Sequence, residues 1–155
     1  MKKIYFTLVL VLFTLPALFA QYSAVRPLLI TWEMNGHRVS LKKGLYGVEL
    51  PSELTLSVYF SAKDAHKWQQ RNTALQFRWY YYLSTRRKLI RVETVSFNQG
   101  KVMPDGSFVI SSTLKTVQPG WWEVQIVSSA DRRYISFAGL DRFQIFIRSR
   151  SYTMR

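Results

Sequence analysis

Nine acidic side chains, two histidines and no cysteine are the whole stock of obvious catalytic chemistry in this sequence of 155 residues. Hydrolysis of a sugar bond needs two carboxylates held about 5 to 10 Å apart. Here the acids fall singly along the chain, and Glu33, Glu53 and Glu93 read as solvated strand or turn residues. His37 follows the Asn35-Gly36 turn dipeptide and His66 sits in a polar stretch, so both read as exposed. No serine lies in a G-x-S-x-G elbow, and no H-E-x-x-H helix, phosphate loop or G-x-G-x-x-G turn is present. Thiolate metal sites are excluded outright, and two imidazoles leave little room for a histidine site. Neither an enzyme nor a metal or cofactor is expected.

A different grouping has the right spacing to bind. In LQFRWYYYL, Arg78, Tyr80 and Tyr82 recur at every second position, with Arg86, Arg87 and Lys88 in the next turn. On a strand that spacing gathers guanidinium groups and flat phenol rings on one face. Rings stack on sugars and guanidinium groups pair with carboxylate or phosphate, so the stripe could hold an anionic glycan or an acidic partner. Tyrosine also has high strand propensity and packs on long neighbours, and this plain structural role is the competing explanation. Trp68, in a polar stretch beside Lys67 and near Arg71, is the best candidate for an exposed aromatic contact. The candidate ligand-binding residues are therefore Arg78, Tyr80, Tyr82 and Trp68.

The elements that must position them are strands. LLITWEM, Asn35-Gly36 and HRVSL read as a tight hairpin, because Asn-Gly tolerates the positive φ angles of its turn. Leu54, Leu56, Val58 and Phe60 alternate with polar residues and define an inner face. Leu75, Phe77, Trp79, Tyr81 and Leu83 should all face the core, opposite the Arg78, Tyr80, Tyr82 stripe. LIRVETVSF has two competing inward registers, which leaves its register open and allows for a bulge or an exposed edge. Further strands are read at FVISS, WWEVQIV, YISF and RFQIFI, with Trp122 and Val124 inward and Trp121, Glu123 and Gln125 outward. Ala62 to Gln70 is the best candidate for a helix.

Seven to nine short strands of this kind make an all-β, antiparallel sandwich the expected fold. Residues 1–20, with Lys2 and Lys3 ahead of an apolar run broken at Pro16 and ended at Ala20, read as a cleaved signal peptide. Residues 21–147 then form the domain, and residues 148–155 a basic tail. No second hydrophobic span follows, so no membrane span is expected after cleavage. The formal charge of +13 favours anionic partners, and export makes nucleic acid the least available of them. Periplasmic or secreted residence is expected.

Phe77-Arg78-Trp79-Tyr80 and Pro119-Gly120-Trp121-Trp122-Glu123-Val124 resemble two strands of the immunoglobulin-like sandwiches found in bacterial envelope proteins. The resemblance covers roughly residues 54 to 147. It implies a core tryptophan on the third strand, at Trp79, and a Gly-x-aromatic-x-apolar opening of the sixth, at Gly120, Trp122 and Val124. Val124 stands where antibody domains place cysteine, and Trp122 where tyrosine is usual, so the resemblance implies a fold and no activity. Two functions follow as expectations. The first is a non-catalytic exported module that docks onto another envelope component, and the second is a module binding cell-wall or anionic polysaccharide through the Arg78, Tyr80, Tyr82 face.

Overall fold

The computed structural model describes residues 24–39, 48–49 and 51–148. Among them the chain forms ten strands: β1 (Leu29–Met34), β2 (His37–Val39), β3 (Val48–Glu49), β4 (Leu54–Phe60), β5 (Ala74–Leu83), β6 (Arg86–Ser96), β7 (Lys101–Val102), β8 (Phe108–Leu114), β9 (Gly120–Ser128) and β10 (Phe143–Arg148). Helix α1 (Ala62–Gln70) joins β4 to β5, and a 3-10 turn (Phe97–Gln99) follows β6. The strands make two five-stranded sheets, β2-β1-β4-β8-β7 and β3-β10-β9-β5-β6. Every pairing is antiparallel except the short one between β3 and β10.

Local chemistry explains the individual elements. Asn35 and Gly36 take φ of 48° and 78°, the positive values that the β1 to β2 hairpin demands. The Asn35 carboxamide oxygen then accepts hydrogen bonds from the Ser52 main chain and hydroxyl. Ser61 caps α1 by accepting from the Asp64 N–H, while its own hydroxyl donates to the Asp64 carboxylate. Along β4 and β8, Thr55 meets Thr113 and Ser57 meets Ser111 in hydroxyl pairs of 2.8 Å. These pairs hold two central strands of the first sheet in register.

The two sheets stack face to face, and their inward side chains form one core. Trp32 of β1 meets Trp79 of β5 edge-on across the layers, with centroids 5.8 Å apart. Leu75, Phe77, Trp79, Trp122 and Val124 are buried from one sheet, and Leu54, Leu56, Val58 and Phe60 from the other. Fully burying each such side chain contributes roughly 1.5 to 3 kcal/mol. At one end Phe97 packs on both Phe60 and Phe108, beneath α1. Gly100 passes so close to the Phe108 ring that a Cβ there would collide with it.

A polar relay that starts in this core and runs out to its rim ties the layers together. Trp79 Nε1 donates to Ser112 Oγ at 2.8 Å, and that hydroxyl donates to Glu93 Oε2 at 2.5 Å. Arg91 pairs with Glu93 at 3.1 Å and donates to the Thr113 carbonyl. Edge strand β6 is thereby pinned to β8 of the opposite sheet.

Several expectations change. The strand count is ten because two pieces of two residues each, β3 and β7, extend the sheets, while YISF drops out. YISF is no strand: Tyr134 and Phe137 make isolated bridges only, although Ile135 is buried. The inward face of β5 runs out towards its end, where Tyr81 is half-buried and Leu83 exposed, because the strand outlasts the opposing layer. Beside them, β6 has both a bulge, between Trp79 and Tyr80 of its partner, and an exposed edge. Residues 1–20 and 149–155 lie outside the described residues, and Arg148, where the tail reading began, ends β10. No helix among the described residues is long and apolar enough to cross a membrane.

Candidate functional site

The outer face of the second sheet, carried by β6, β5, β9 and β10, brings most of the predicted stripe together. Arg78, Tyr80 and Tyr82 share that face on β5, as the alternation requires. Their surroundings include a residue that sequence reasoning had assigned to solvent. Glu123 of β9 points outward, yet its side chain is 0% exposed. Tyr82 Oη donates to Glu123 Oε2 at 2.6 Å, and Gln144 Nε2 of β10 donates to the same oxygen at 2.8 Å. Arg87 of β6 places Nη2 3.2 Å from Glu123 Oε1. That nitrogen's hydrogen bond goes to Gln125 Oε1 at 2.6 Å, so Oε1 gains Coulomb attraction and no hydrogen bond.

This geometry fixes the two tyrosines. The Arg87 guanidinium lies 3.5 Å from the Tyr80 ring centroid and covers the face that a sugar would need. The bond to Glu123, then burial and the nearby Glu123 charge, hold the Tyr82 phenol above its ordinary pKa, against the pull of Arg87 and Arg142. Tyr82 is thus a committed donor at neutral pH. A buried carboxylate is costly unless it is paired and hydrogen-bonded, and Tyr82, Gln144 and Arg87 supply both from three different strands.

Arg78 stands apart from that cluster. Its Nε donates to Gln76 Oε1 at 2.7 Å, and it borders an open depression of about 400 Å³ that also includes Gln76, Thr94, Ser129 and Arg132. Trp68 is elsewhere altogether. The exposed contact expected of it is not what the fold provides, because it sits on the inner face of α1 with Ala65 and is 3% exposed. Lys67 and Arg71 approach its ring from 5.0 and 5.6 Å. Among the described residues the aromatics that do reach solvent include Tyr134 and Trp121, both about half exposed, the latter tilted against Phe146 at 5.2 Å.

The edge of the same sheet forms the second surface. β6 has eleven residues and pairs with β5 on one side only among the described residues. Leu89, Ile90 and Val92 are 48%, 42% and 47% exposed along it, preceded by Arg86, Arg87 and Lys88 and with Arg91 between Ile90 and Val92. The other three edge strands, β2, β3 and β7, have three, two and two residues. His37 and His66 are exposed, and His66 pairs with Gln70 on the surface of α1. Compared with protein-family models and with curated proteins, the chain matches none.

Proposed function

We propose that the protein is a non-catalytic, exported interaction module that docks onto another component of the cell envelope along the β6 edge. The observation that carries this reading is the contrast among the four edges as the described residues form them: three have two or three residues there, too few to template a strand, and one offers eleven residues with three exposed aliphatic side chains. The cations at its start, Arg86 and Lys88 among them, favour an acidic, extended segment as the partner. The bulge at Ile90 and the inward-turned Arg91 and Glu93 act against indiscriminate pairing, which is how natural edges are kept from aggregating.

The same proposal includes an immunoglobulin-like topology. Supporting it are the outer sheet order β1-β4-β8-β7, the facing order β10-β9-β5-β6, and short β3 running parallel to the last strand. Trp79 fills the core from the strand the resemblance assigns to it, and Trp122 Nε1 donates to the Gln118 carbonyl just upstream, a corner contact like that of the usual tyrosine. The polysaccharide reading retains Arg78 alone of its four residues, since Tyr80 is capped, Tyr82 is bonded to Glu123 and Trp68 is buried.

Affinity capture from native envelopes with the full chain and with a Leu89→Asp/Val92→Asp variant tests the docking. One stoichiometric protein should be retained by the first and lost with the second, while circular dichroism stays the same. Equal capture by both, or none by either, contradicts it.

A further inference from the structure

The depression beside Arg78 is unusual in its balance of donors and acceptors. It is lined by side chains from β5, β6 and β9 and by Arg132 of the following turn, and no carboxylate lines it. Two arginines therefore border one concavity, and no acidic residue is among its lining. The polar neighbours are turned the same way. Gln76 Oε1 accepts from the Arg78 Nε, and the Gln76 NH2 remains to donate. Ser129 Oγ accepts from the Ala74 N–H at 2.8 Å, so its hydroxyl proton remains for another acceptor. Thr94 adds a further hydroxyl.

Backbone geometry points to the same place. Arg132 has φ of 57°, a left-handed conformation that costs a side-chain-bearing residue about 1 kcal/mol or more. Its N–H closes the turn onto the Ser128 carbonyl at 2.9 Å. A glycine would meet that turn without strain, but it would bring no cation to the border of the depression.

We propose that this depression is a binding site for a single oxyanion, the phosphate or carboxylate of a small molecule or sugar unit, gripped by Arg78 and Arg132 with Gln76, Thr94 and Ser129 as supporting donors. Guanidinium pairs with such groups through two parallel hydrogen bonds, and Arg78 is oriented for this by its bond to Gln76. No aromatic ring lines the depression, so a neutral sugar has nothing to stack on. The site lies on the sheet face, and it stands or falls independently of docking along the β6 edge.

Titration of the full chain with inorganic phosphate, glucuronate, glucose 1-phosphate and glucose, followed by amide shifts of Ala74, Thr94 and Ser129, tests the site. Saturable shifts are expected with the three anions and none with glucose. An Arg78→Gln/Arg132→Gln variant should bind at least about tenfold more weakly, the loss expected from charge-assisted hydrogen bonds, whereas Lys101→Gln should bind as the parent does. Arg132→Gly should also weaken binding while raising thermal stability through relief of the turn, which separates the ligand role from a folding role. Glucose 1-phosphate binding more tightly than phosphate identifies a sugar-borne anion, and equal binding identifies the free ion. Saturation by glucose, no saturation by any anion, or equal binding by the parent and the double variant overturns the site.

Discussion

At the residue scale the most informative side chain is Glu123. An outward position on a strand predicts solvent, yet hydroxyl, amide and guanidinium groups from β5, β10 and β6 close over it. The sequence holds no local signal for this, because the three covering residues are 21 to 41 positions away. Glu123→Ala should destabilise the fold by about 3 kcal/mol in urea unfolding, since it leaves Arg87 and Tyr82 facing each other without their shared acceptor. Tyr82 carries the matching pH dependence. Its phenol is held protonated in the fold, so its contribution is fully present below the ordinary tyrosine pKa of about 10 and is lost as pH rises through the higher folded value. Ultraviolet titration should therefore show one late tyrosine, absent from Tyr82→Phe, and a titration identical in the two proteins would contradict the bond.

At the element scale, legibility follows how many neighbours a strand has. β5 lies between β6 and β9 and against the opposite sheet, and its alternation placed Leu75, Phe77 and Trp79 inward correctly. Among the described residues β6 has no second neighbour, so neither of its registers is enforced by burial, and its pattern was ambiguous for that physical reason. The Ala62 to Gln70 helix was readable, but Trp68 was not: Ala65 and Trp68, three apart, make a narrow apolar face among polar residues. Trp68→Ala should cost about 3 to 5 kcal/mol through a core cavity, as should Trp79→Ala. Leu89→Asp/Val92→Asp, on the exposed edge, should shift stability by no more than about 0.5 kcal/mol each in the same unfolding assay. A large loss there would mean that β6 is covered.

At the scale of the whole molecule, charge and shape act together. On the export reading, loss of Lys2 and Lys3 with the leader leaves 20 basic against nine acidic residues, a formal charge of +11 whose positive field draws acidic partners inward, and the β6 edge supplies directional main-chain groups once they arrive. Such steering is screened by salt over about 8 Å at physiological ionic strength. Association with the envelope partner should accordingly slow as salt rises, while dissociation changes little. The most direct measurement is photocrosslinking in intact envelopes from a photoreactive residue placed at Ile90, compared with one at Lys115 beyond the end of β8. The docking account predicts a single discrete adduct from position 90 and none from position 115. Matching adducts from both positions, or no adduct from position 90, would contradict it.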